Sequence, residues 1–139
     1  MPLVSRTFIK TGLVCFVLAL LLGGVQWLDY LGWDVGWFAG GPAHVHLFVY
    51  GWVTEMIIGV AIWLFPVADR DRPRGRPWLN WTAYAGINLG LLLRVVSEPM
   101  ATGTAAAAMW NWMLLGSAIA QWIGGVAFVA TIWPRVSER

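Results

Sequence analysis

Four long apolar stretches, at residues 8–28, 43–65, 79–98 and 106–133, dominate the chain. Each approaches or exceeds the roughly 20 residues that carry an α-helix across a bilayer. Only short connectors separate them, so no soluble domain fits between. The pattern predicts one all-α integral membrane domain, 1–139, of four transmembrane helices. Prolines mark its boundaries, because proline removes a donor and clashes within a helix. Pro66 closes the second stretch, Pro77 precedes the third, Pro99 ends it and Pro134 follows the fourth. The first stretch begins like a signal peptide, with Arg6 and Lys10. No small-x-small cleavage site accompanies the Gln26-Trp27-Leu28-Asp29-Tyr30 that follows it, so it reads as a retained helix.

Charge gives these helices a direction. Eight of the nine cations fall before helix 1 (Arg6, Lys10), between helices 2 and 3 (Arg70, Arg72, Arg74, Arg76) or after helix 4 (Arg135, Arg139). The opposite loops hold Asp29 and Asp34 without Lys or Arg. Lys and Arg accumulate on the cytoplasmic side, so both termini are expected inside, in a multi-pass protein of the plasma (inner) membrane. This topology accounts for the net charge of +2 and calls for no nucleic-acid partner. The basic loop suits anionic lipid headgroups. Aromatic belts at the two interfaces account for most of the 11 tryptophans, including Trp27, Trp33, Trp37, Trp110 and Trp112 at one and Trp63, Trp78, Trp81 and Trp133 at the other. Rows of small residues, Gly86 and Gly90 in helix 3 and Gly116, Ala120 and Gly124 in helix 4, allow close helix approach. They serve either the fold of one subunit or contacts between subunits. Cys15, the single cysteine, reads as a small buried residue.

Ionisable groups inside a bilayer are functional candidates by default. Here they are His44, His46, Glu55, Arg94 and Glu98. The only two histidines stand at the mouth of helix 2, and imidazole suits haem iron or a transition metal. Residues two apart on a helix point about 200° apart, so the pair cannot readily chelate one ion. Each histidine is expected to serve a different side. Gly51 lies on the stripe of His44 and relieves the surface beside it. Glu55 is about 20° round from His44 and about 16 Å deeper. It is either a proton-handling group or a neutral acid bonded to Asn88, Gln121 or Thr54. Arg94 and Glu98 are spaced for an i,i+4 ion pair. Arg94 is also placed to meet a carboxylate of a bound cofactor, such as a haem propionate. Met109 and Met113 share a face of helix 4 and are either core residues or part of a soft copper site with the histidines.

The stretch Pro42-Ala43-His44-Val45-His46-Leu47-Phe48-Val49-Tyr50-Gly51-Trp52-Val53 resembles the histidine-bearing helices of the haem-copper oxidase and nitric oxide reductase catalytic subunits, and short four-helix relatives of them. Those subunits contain twelve helices in three four-helix arcs, and this chain looks like one arc. The resemblance implies a homotrimer that rebuilds the ring, with cofactors between subunits. Three chains carry six histidines, enough for three bis-histidine haems that each take His44 from one subunit and His46 from the next. No counterpart of the family's three-histidine copper site exists here. The implied role is therefore electron transfer or redox or gas sensing by haem b, rather than oxygen reduction as a full terminal oxidase. The absence of a C-x-x-C-H motif excludes covalent c-type attachment. The alternatives are a copper-binding membrane protein and a cofactor-free structural or assembly subunit of a respiratory complex.

Overall fold

The computed structural model describes residues 1–36, 42–65, 76–101 and 107–136. Trp37, Pro66, residues 69–75 of the basic loop, the first residue of the fourth predicted stretch and Arg139 lie outside them. The described residues form four helices and no strand: α1 (Leu3–Tyr30), α2 (Ala43–Leu64), α3 (Pro77–Ala101) and α4 (Ala107–Ile132), with a 3₁₀ turn at Trp133–Arg135. Three of them, α1, α2 and α4, are long and apolar enough to cross a membrane. α3 is long enough but more polar. Its Asn80, Ser97 and Glu98 are buried inside the molecule rather than turned outward.

Local chemistry explains most boundaries. Pro2 has no N–H to lose at a helix start and gives its carbonyl to the Arg6 N–H at 3.2 Å. α1 therefore begins earlier than hydropathy alone indicates. It ends where the Leu31 N–H is shared by the Trp27 and Leu28 carbonyls and Gly32 takes φ +85°, a conformation open to glycine. Pro99 does not end α3 as expected, because the helix continues to Ala101. Proline removes the bond to the turn before it, while its fixed φ is helical and leaves the following N–H groups intact. Pro77 is the first residue of α3 rather than a residue ahead of it, the position where a missing N–H costs nothing.

One departure was not written in the hydrophobic pattern. Residues Leu47–Thr54 of α2 form a π-helix, and the Thr54 hydroxyl donates to the Val49 carbonyl, five residues back, at 2.9 Å. Such wide turns are rare and concentrate at functional sites. The angular estimate between His44 and Glu55 assumed 3.6 residues per turn and does not hold through this segment. Even so, His44, Gly51 and Glu55 all meet α1, at Gly23, Cys15 and Gly12 respectively.

Each helix packs mainly on its neighbours in the chain, and α1 does not approach α4 among the described residues. The closest seam is α3 on α4. A Cβ on Gly86 would stand 2.6 Å from the Ala120 carbonyl, and one on Gly124 would stand 2.8 Å from the Ile87 nitrogen. Gly90 is pressed likewise on Ser117 and Gln121. Gly116 faces open space. Gly86, Gly90 and Gly124 thus serve the fold within one chain.

The core lies toward the Leu3 end, where Phe8, Ile58, Ile62, Ala83, Ile87 and Ala127 cluster. A hydrogen bond of 2.9 Å between the Thr11 and Tyr84 hydroxyls joins α1 to α3 there. Arg135, counted in the sequence as a cytoplasmic cation, is 3% exposed. Its guanidinium donates to the Ile62 and Phe65 carbonyls at 3.1 and 2.6 Å. A cation there satisfies carbonyls that the end of α2 leaves without helical partners. Trp27, Trp33, Trp63, Trp78, Trp112 and Trp133 are exposed near helix ends.

Gly86→Ala is expected to destabilise the protein by about 1–3 kcal/mol, the usual cost of overpacking. Gly116→Ala should leave stability unchanged or slightly raised. Thermal unfolding of both variants in detergent checks the contrast.

Candidate functional site

α2 starts at Ala43, and the His46 N–H closes the first turn on the Pro42 carbonyl at 3.0 Å. Consecutive side chains then leave in three directions. Val45 is exposed, His44 turns toward α1 and His46 toward α3.

The His44 ring lies against Gly23, with its Cδ2 3.7 Å from where a Cβ on that glycine would stand. It lines a groove of about 660 Å³ between α1 and α2, with Gly23, Gly24, Trp27, Tyr30 and Phe48 around it. Ligand pockets commonly fall between about 300 and 1,000 Å³. A Cβ on Gly24 would meet nothing within 4 Å, so the groove wall is open at that point. His44 Nδ1 is buried without a hydrogen-bond partner.

His46 has a different setting. Its Nδ1 sits 2.9 Å and 3.0 Å from the two carboxylate oxygens of Glu98, and its ring stands 6.0 Å from that of Tyr50. Glu98 also faces the Arg94 guanidinium at 3.4 Å, so the i,i+4 pair exists but is shared. The Arg94 Nε–H points to the Ser117 oxygen at 3.3 Å, and the Ser117 hydroxyl donates to the Gly90 carbonyl at 2.6 Å. One polar chain thus links α2, α3 and α4 at the histidine end. A carboxylate on Nδ1 fixes the orientation of an imidazole and leaves Nε2 as its outward nitrogen, the arrangement that supports metal-ligating histidines.

The other candidates are placed as follows. The space beside Gly51 is filled by the chain itself, since a Cβ there would stand 2.7 Å from Cys15 Cβ and 2.9 Å from a Leu91 methyl. Glu55 is 0% exposed, and neither of its oxygens has a hydrogen-bond partner. Asn88 faces it from α3 as a side-chain donor; one N–H of its amide is given to the Tyr84 carbonyl at 3.0 Å, and the second remains for the Glu55 carboxyl. Thr54, another partner considered for it, is bonded back along its own helix. Met109 is exposed on α4. Among the described residues, no three of His, Cys, Asp and Glu gather as a metal site.

Sequence reasoning reached every ionisable member of this site but missed two connections. It paired Glu98 only with Arg94, because spacing along one helix is visible and contact between helices is not. It also passed over Ser117, whose four-residue spacing from Gln121 and three-residue spacing from Ala120 mark the face of α4 that meets α3.

Removing the Glu98 carboxylate leaves two partners short of a charged acceptor. Glu98→Ala is expected to cost about 1.5–3 kcal/mol, as for hydrogen bonds to charged groups, with Glu98→Gln milder. Thermal unfolding in detergent, compared with Arg94→Ala in a double-mutant cycle, measures the coupling. No family model, curated protein or solved structure matches the chain, so the reading of this site rests on its own geometry.

Proposed function

We propose that this chain is a membrane b-type haem protein, with His44 and His46 as axial ligands, working in electron transfer or redox or gas sensing. The observation that carries the reading is the divergence of the two imidazoles. His44 lines the groove beside α1, whereas His46 stands at the α2–α3 seam with Nδ1 held by Glu98. A single chain cannot bring both to one iron, so each haem would take His44 from one subunit and His46 from the next. A homotrimer closes such a ring, and the ordering of the helices by chain neighbour, with α1 clear of α4, suits one arc of it.

The residues fit the group. The groove beside His44 has glycine in its wall and aromatic rings around it, and the outward nitrogen of His46 is oriented by a carboxylate. Arg94 would neutralise a propionate, because its guanidinium carries five donors and two contacts account for only part of them. Bound haem supplies one-electron redox chemistry. Glu98 keeps the His46 ring in one tautomer and orientation. The finer topology belongs to the same proposal: α3 is the fourth span, its polar side chains turned inward, with both termini on the cytoplasmic face of the plasma membrane.

A second reading has its own observation. In the His46–Glu98–Arg94–Ser117 chain every side chain already has a protein partner, which suits a cofactor-free assembly subunit. Copper held by the histidines is a third.

Absorption spectroscopy of detergent-purified protein separates them. The haem reading expects a Soret band with sharp α and β bands on reduction, lost in His44→Ala and in His46→Ala. A colourless protein that carries copper by metal analysis favours the copper reading. A colourless, metal-free preparation from haem-replete cells sinks both ligand readings. Cross-linking should give a trimer, and a stable monomer that retains haem contradicts the shared site.

A further inference from the structure

Glu55 takes no part in the histidine site, yet it is the most enclosed acid of the described residues, at 0% exposure. It sits where the π-segment of α2 returns to α-helix, with its Cβ 3.4 Å from where a Cβ on Gly12 would stand. The groups that face it are the Cys15 thiol from α1 and the Asn88 amide from α3. Neither is a cation, and neither carboxyl oxygen has a hydrogen-bond partner. An ionised carboxylate without compensation is among the costliest groups to bury. The other enclosed acid, Glu98, has the opposite setting, between His46 and Arg94.

We propose that Glu55 is a proton-binding site of the membrane domain, holding its proton as a neutral acid and exchanging it toward the Leu3 end of α1. The ligand is a proton, taken up by the carboxylate and released from the acid. The proposed exchange route runs by way of the hydroxyls nearest Glu55 on α1 and α3. Thr11 precedes Gly12 on α1, and Tyr84 lies one turn before Asn88 on α3. Their hydroxyls meet at 2.9 Å, one residue or one turn from groups that face Glu55. The Thr7 hydroxyl continues the row one turn nearer the end of α1, on the Leu3 carbonyl at 3.0 Å. In the other direction, the groove of about 480 Å³ between α1 and α3 has Cys15 and Asn88 at its lower end and leucine and valine above them. It offers a proton no polar path. Acidic residues inside membrane domains mark proton relays in pumps and transporters.

Infrared spectroscopy of the full chain reconstituted in vesicles reads this site whether or not haem is bound, so its failure is separable from that of the haem reading. A protonated-carboxyl carbonyl band is expected at neutral pH, removed by Glu55→Gln and shifted by Glu55→Asp. In heavy water the band should shift as the proton exchanges, and Tyr84→Phe should lengthen that exchange several-fold. No such band, or one that Glu55→Gln leaves in place, overturns the site. Exchange equally fast in Tyr84→Phe overturns the route. Should Glu55→Gln fail to fold, the wild-type protein decides the matter with dicyclohexylcarbodiimide. This lipid-soluble reagent takes the acid proton and adds the carboxyl to its central carbon, and the product rearranges to a stable N-acylurea. Peptide mapping should then find the adduct on Glu55 and not on Glu98. An unmodified Glu55 under those conditions contradicts the proposal.

Discussion

α3 is the one long helix among the described residues too polar to qualify as a membrane span by composition, and its buried polar side chains need partners inside the molecule. Asn80, Asn88, Arg94, Ser97 and Glu98 have to find partners inside the molecule or stay buried without them. The rotation of α3 follows from this requirement. Turning Glu98 inward brings it against His46 of α2, and turning Arg94 inward brings it to Ser117 of α4. The same rotation aims Gly86 and Gly90 at α4, where the missing side chains let the two backbones approach closely. Polar satisfaction and small-residue packing therefore select one orientation between them.

The two ends of the molecule are held by different means. At the Leu3 end, a continuous apolar core is reinforced by the Thr11–Tyr84 hydrogen bond and by Arg135 on the last carbonyls of α2. At the histidine end, apolar packing thins to a smaller cluster around Cys15, Ala19, Leu47 and Leu91. A groove opens beside α1, and the helices are joined through Glu98. An end held by one carboxylate and flanked by an open groove can receive a ligand at modest structural cost. A close-packed end cannot. The π-segment lies between these regimes and separates the histidines from Glu55, so the two candidate sites occupy different layers of one helix.

Two of the buried residues with unsatisfied side-chain atoms follow the same division. His44 Nδ1 is without a partner at the open end, and the Glu55 oxygens are without partners where α1, α2 and α3 meet. Native structures satisfy nearly all such groups, and the exceptions call for an explanation. The ligand proposed at the first and the proton proposed at the second would be explanations of one kind, each a partner that comes and goes.

Much was legible in the sequence because it depends on one helix at a time. Apolar run length gave four helices, although α3 runs past Pro99 to Ala101 and α1 starts at Leu3, ahead of its apolar run. Backbone geometry alone placed His44 and His46 on different sides of α2, since about 200° of rotation arises within a single turn and needs no neighbouring helix. The i,i+4 pairing of Arg94 with Glu98 was visible for the same reason. Only the tertiary structure decided that Glu98 is shared with His46, that Arg135 caps α2, that Gly86, Gly90 and Gly124 pack within the chain and that Glu55 is enclosed with no cation facing it. These facts depend on the relative depth and rotation of separate helices. Neither periodicity nor the short connectors between helices specify them, and contacts among all four had to be settled together.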